Sequence, residues 1–103
     1  MKNVQKKVKE FCERYGLHCP LEIRVLDLVS EIGEFAKEVI KATDYGRKEF
    51  EFREEIKEEL GNVLFSLIVV ANQLNIDLAD SLDLVLKKYE RRIRKKGTAS
   101  SLR

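Results

Sequence analysis

Two stretches of this sequence repeat one chemistry: Glu31-Ile32-Gly33-Glu34 and Glu59-Leu60-Gly61-Asn62, 28 residues apart. Each is a carboxylate, an aliphatic residue, a glycine and a second oxygen-bearing side chain. Residues three or four apart share a helical face. Glu31, Glu34 and Glu38 therefore form one acidic stripe, and Glu55, Glu59 and Asn62 form another. Carboxylates that converge in a partly shielded place repel and protonate unless a divalent cation sits among them. Oxygen donors without Cys or His favour magnesium or manganese over zinc. A glycine inside a helix costs roughly 1 kcal/mol relative to alanine. Close approach of the two helices, bringing their acids to a shared cation, is the expected gain that offsets this loss. The plainer reading makes these acids the solvated face of ordinary amphipathic helices. A lone E-x-x-E means little, and only the paired, glycine-bearing repeat counts against that reading.

Four helices are needed to position these groups. Val4, Val8, Phe11, Cys12 and Tyr15 recur at helical intervals until Gly16 stops the first. Pro20 suits the first turn of the second, which carries Leu21, Val25, Leu28, Ile32, Phe35, Val39 and Ile40. Asp44-Tyr45-Gly46 reads as a loop. The third helix is expected to start between Arg47 and Phe52 and to run to about Leu74, with Ile56, Leu60, Val63, Leu64, Leu67, Ile68 and Ala71 as its stripe. Asn75-Ile76-Asp77 breaks the pattern, with Asp77 as N-cap for a fourth helix from Leu78 to about Lys95. Leu82, Val85, Leu86, Tyr89 and Ile93 are its expected inward face. Short links between long helices predict antiparallel neighbours and an all-α bundle. One domain over 1–96 is expected, followed by a polar tail, 97–103, without periodicity and expected to be flexible.

Bulk properties narrow the classes. A chain of 103 residues holds one small domain, and help from a second subunit is expected at this size. With 44% hydrophobic and 37% charged residues it can fold, but five Gly and one Pro are too few turn formers for an all-β protein. A net charge of +2 gives no whole-molecule case for nucleic-acid or membrane binding. The N-terminal residues lack the apolar core of a signal peptide, and the stretch Val63 to Ala71 is too short for a membrane span. Cys12 and Cys19 read as free thiols in a reducing cytosol, so a cytoplasmic protein is expected.

The stretches Leu28 to Glu38 and Glu58 to Phe65 resemble the two signature helices of MazG-type pyrophosphohydrolases, E-x-x-E followed by E-x-x-D. The resemblance continues through Asn75 to Leu78 and into Lys88-Tyr89-Glu90-Arg91-Arg92, similar to the family's K-[FY]-x-x-R segment. Residues 96–101 also resemble small single-domain members, so roughly residues 20–101 are covered. This resemblance implies a four-helix, MazG-like antiparallel bundle completed by dimerisation, as a homodimer or homotetramer. It implies hydrolysis of a nucleoside triphosphate, or a related nucleotide, between the α- and β-phosphates. Magnesium is the implied cofactor, with manganese as an alternative, held by Glu31, Glu34, Glu59 and Asn62. Glu38 and Glu58 become candidates for outer-shell support or for orienting water. The fourth helix puts seven cations into the ten residues 87–96, a run that composition alone reads as solvated. By resemblance, Lys88 and Arg92, with Arg91, become phosphate contacts, for which a guanidinium fork is suited.

Three positions depart from the family pattern. Asn62 stands where the family has Asp and offers a cation only a neutral carbonyl oxygen, which should weaken metal binding. Ser30 replaces a frequent Glu, and Leu86 a frequent Asn. Two readings follow: a working hydrolase with altered metal demand, Glu55 or Glu58 compensating, or a degenerate relative that binds nucleotide without efficient turnover. A plain oligomerisation domain is a further rival. A di-iron bundle would need E-x-x-H, and the single histidine, His18, falls in a loop. The basic helix lacks a nucleic-acid-binding motif or interleaved aromatics, so no nucleic-acid partner is expected.

Overall fold

Backbone carbonyls and one left-handed glycine set the first corner. In the computed structural model, which describes residues 1–96, helix α1 spans Lys2–Arg14 and Gly16 turns the chain at φ 63°. Leu17 N–H then donates to the Cys12 carbonyl at 2.9 Å, closing the helix in the Schellman manner. Pro20, extended at φ −59° and ψ 148°, occupies the N-cap of α2, Leu21–Lys41, one position earlier than expected. The second corner uses three successive left-handed residues, Asp44, Tyr45 and Gly46. Glu51 N–H donates to the Ala42 carbonyl at 3.0 Å and holds this loop against the end of α2.

Helix α3 runs from Glu54 to Gln73. Residues 47–52, expected to begin it, stay in the loop because the bond from Glu51 back to Ala42 requires a non-helical path. Arg53 is extended at the N-cap, and Glu54 and Glu55 follow in the first turn, where negative charge suits the macrodipole. Asn75, left-handed at φ 55°, breaks the chain again, and α4 covers Leu78–Lys96. Asp77 caps it as expected: its Oδ1 accepts from Ala79 N–H at 2.8 Å. The described residues contain four helices and no strand, the expected all-α class. Residues 97–103, the expected tail, lie outside them.

Antiparallel packing is realised where the site needs it, between α2 and α3, with α1 laid on α3. Helix α4 does not fold back; it leaves α3 at 99°. Gln5 fixes that direction. Its amide nitrogen donates to Asn72 Oδ1 at 3.1 Å and to the Ile76 carbonyl at 2.8 Å, while its Oε1 accepts from Leu78 N–H at 2.9 Å. Asn72 donates in return to the Gln5 carbonyl at 3.0 Å. The inward face of α1 is thus Gln5, Val8 and Cys12, while Val4, Phe11 and Tyr15, assigned to the core by periodicity, are exposed.

Little of the chain is buried. Ala42, Ile56, Ile68, Val69 and Ala71 make up the buried apolar core among the described residues. Val25, Ile32 and Ile40 of the predicted α2 stripe, Leu60, Leu64 and Leu67 of α3, and Leu82 and Leu86 of α4 are exposed. The radius of gyration is 16.9 Å, against about 13 Å for a compact chain of this length. No single helix is long and apolar enough to cross a membrane.

Candidate metal and phosphate site

Contacts at both ends of the α2–α3 pair fix its register. Arg53 at the start of α3 pairs with Glu38 near the end of α2, and Gln73 at the end of α3 donates to the Cys19 carbonyl just before α2. Between these ends, Arg24 and Asp27 line one small cleft with Ser66 and Val69. Both helices rise about 1.5 Å per residue. The same register therefore sets Glu31 level with Asn62, and Glu34 level with Glu59. The two repeated stretches therefore stand level along the helix pair.

The acids differ in their surroundings. Glu59 is half-buried, and its Oε2 has neither a hydrogen-bond nor an ion-pair partner among the described residues. Glu38 also has a shielded Oε2 without a hydrogen bond, but Arg53 Nη1 lies 3.4 Å from it and Lys41 Nζ lies 3.6 Å from its Oε1. Its charge is therefore matched, and Glu38 ties the end of α2 to the start of α3. Glu31 is half-buried, while Glu34, Glu58 and Asn62 are exposed. Glu55, weighed above as a substitute donor, is held by Arg53 at 2.9 Å. A backbone hydrogen bond, and then Arg53, keep the Glu55 carboxyl below its ordinary value. Arg53 went unnoticed in the sequence; its only signal there was a cation standing directly before Glu54 and Glu55.

The donor set suits a hard divalent cation. It consists of oxygens only, and Glu59 Oε2 is a shielded carboxylate oxygen with no charge partner among the described residues. The set is nevertheless open: among the described residues, no three His, Cys, Asp or Glu side chains are gathered tightly enough to hold a metal.

The two glycines do not act as expected. A Cβ added at Gly33 or Gly61 would meet nothing within 4 Å, so neither mediates contact between α2 and α3. At about 100° per residue, Gly33 lies on the far side of α2 from Glu31 and Glu38. It stands there among Val29, Ile32 and Ile40, all exposed.

Lys88, Arg91 and Arg92 are not brought to these acids. Glu59 is about 21 Å along α3 from its end, and Lys88 about 15 Å along α4 from its start. With the helices at 99°, the two positions are separated by on the order of 25 Å, beyond the span of one phosphate chain. Lys88 and Arg92 instead flank the Tyr89 ring, 5.2 and 5.9 Å from its centroid.

Comparison with known proteins bears on the family and the fold. The model of the MazG nucleotide pyrophosphohydrolase domain matches residues 22–96. The chain is 35% identical to Bacillus subtilis YpjD, a protein of uncharacterised function, over 95% of this chain and 90% of YpjD. Among solved structures it is similar to a Bacillus-conserved MazG protein described as a nucleotide pyrophosphohydrolase, with 35% identity and a TM-score of 0.72 over 85% of this chain and 86% of that one. A crystal structure of Bacillus subtilis YpjD, described as a candidate pyrophosphatase, gives 32% identity and a TM-score of 0.73 over 85% of this chain and 92% of its own.

Proposed function

The chain belongs to the MazG nucleotide pyrophosphohydrolase family, and we propose that it hydrolyses a cytoplasmic nucleoside triphosphate, or a related nucleotide, between the α- and β-phosphates. The products are the monophosphate and pyrophosphate. The observation that carries this reading is Glu59 Oε2, a shielded carboxylate oxygen without a partner among the described residues, on a helix whose register sets it level with Glu34.

Glu31, Glu34, Glu59 and Asn62 would hold magnesium, or manganese in its place. Bound there, the metal supplies neutralisation of phosphate charge and activation of the attacking water. Glu38, locked between Lys41 and Arg53, is a positioning residue that holds the α2–α3 corner in register. Glu58 is exposed, one helical turn before Asn62, and is assigned to orienting water. Lys88 and Arg92, with Arg91, grip the phosphates by charge-assisted hydrogen bonds.

Those cations serve the acids of a second copy of the chain. Three features support a homodimer, or a homotetramer built from dimers: the 99° departure of α4, the large radius of gyration and the exposed apolar faces of α2, α3 and α4. Apolar faces of this extent on a small chain mark association surfaces. Gly33 and Gly61 then leave room for a partner helix instead of for one another.

The test is pyrophosphate release from a panel of nucleotides with magnesium or manganese, with Asn62→Asp assayed beside the native chain. Native turnover is expected, and the variant should reach half-maximal activity at a metal concentration on the order of tenfold lower, since ligand charge sets affinity. A native chain without turnover, restored by Asn62→Asp, would make the protein a degenerate nucleotide binder.

A further inference from the structure

One cleft lies away from the acids, where the end of α1 and the chain leading into α2 meet α3. Its volume is about 260 Å³, and its walls include both cysteines of the chain, Cys12 and Cys19, with Lys9, Glu13, His18 and Arg24. Both thiols are free. We propose that Cys12 and Cys19 are a reversible redox pair, which an oxidant of the low-molecular-weight disulfide class converts to an intrachain disulfide stapling α1 to the start of α2.

The backbone between the two cysteines is folded back, not extended. Gly16 at φ 63° reverses the chain, and the bond from Leu17 N–H to the Cys12 carbonyl sets residue 17 beside residue 12. Two side chains then hold the returning strand over the cleft. Arg24 donates to the Leu17 carbonyl at 2.5 Å, and Gln73 donates to the Cys19 carbonyl at 3.3 Å. Residues 17–19 are exposed and belong to no helix, so the adjustment that disulfide geometry requires falls on backbone with little packing to lose.

The two thiols differ as an attacking and a resolving pair should. Cys19 is exposed and Cys12 half-buried. The Cys19 thiolate attacks one sulfur of the oxidant, forming a mixed disulfide and expelling one thiolate. The Cys12 thiolate then attacks the Cys19 sulfur and expels the second. Two thiol protons pass to solvent or to the leaving thiolates, and two electrons pass from the cysteines to the oxidant. Negative charge spreads over three sulfurs in each transition state, and Lys9 and Arg24 outweigh Glu13 on the surrounding walls.

The experiment treats the native full-length chain with oxidised glutathione and follows it by intact mass, alkylation with iodoacetamide and non-reducing electrophoresis. Expected is a monomeric chain lighter by two hydrogens, closed to alkylation and reopened by dithiothreitol. Cys12→Ser should instead stop at one glutathione adduct on Cys19. Bridge formation should also be faster in the native protein than in urea, because the fold, and not mere nearness in sequence, brings the thiols together. Thiols that stay open to alkylation, a stable adduct on the native chain, bridging only between chains, or a rate no faster than in urea would each overturn the proposal.

Discussion

At the scale of the residue, Glu59 and Glu38 look alike in sequence but differ in what surrounds them. Both have a shielded carboxylate oxygen, yet cations match the charge of Glu38 and, among the described residues, none matches that of Glu59. An unmatched shielded charge destabilises a fold. Glu59→Gln, which keeps the shape and removes the charge, should therefore leave the metal-free protein melting at the same temperature or higher. It should also abolish the stabilisation by magnesium and lower pyrophosphate release by roughly 100-fold or more, beyond the loss usual for an outer-sphere group. Melting curves with and without magnesium, beside the activity assay, check both halves. A metal-free melting temperature that drops sharply would make Glu59 a structural residue. The acids were legible in sequence because three-residue spacing on a helix is a local rule. Their environments were not, because Arg53 reaches Glu38 only once the loop between the helices has closed.

At the scale of the element, α2, α3 and α4 were legible from apolar spacing and capping residues, and Asp77 caps α4 as expected. Helix α1 was found, but its buried face was rotated. Periodicity favoured Val4, Phe11 and Tyr15, whereas Gln5 is the residue that is buried. A hydropathy pattern cannot place an amide inward, because the reason for its burial is a set of partners more than sixty residues away. Gln5→Leu would orphan Leu78 N–H and the Asn72 amide oxygen and should cost about 2–4 kcal/mol, read as a lowered midpoint in urea denaturation. The glycines belong to this scale too. With open space beside them, Gly33→Ala and Gly61→Ala should each strengthen their helix by up to about 1 kcal/mol. On the proposed dimer, self-association should weaken at the same time, because the added methyl groups fill space proposed for a partner helix. Sedimentation at several concentrations, beside thermal melts, measures the two effects separately; undiminished association would remove that role.

At the scale of the whole molecule, one chain holds acids and cations on the order of 25 Å apart. Shared sites in a dimer predict complementation. Glu59→Gln and Lys88→Ala/Arg92→Ala chains, each inactive alone, should on mixing and subunit exchange recover roughly a quarter of wild-type activity. Half of the dimers are then mixed, and each mixed dimer carries one intact site of two. No recovery after demonstrated exchange would place acids and cations in the same subunit. The right-angle departure of α4 has a mechanical side as well. Lys88 sits at the end of an arm of about 15 Å, so a change of about 5° at Asn75 moves it by more than ~1 Å, a displacement that can cost a catalyst about two orders of magnitude in rate. Gln5 and Asp77 are the pins of that hinge. On the proposed function, the aim of the cationic end of α4 is set by a neutral amide near the N-terminus, and Gln5→Leu should then lower pyrophosphate release by leverage, with no contact between residue 5 and substrate.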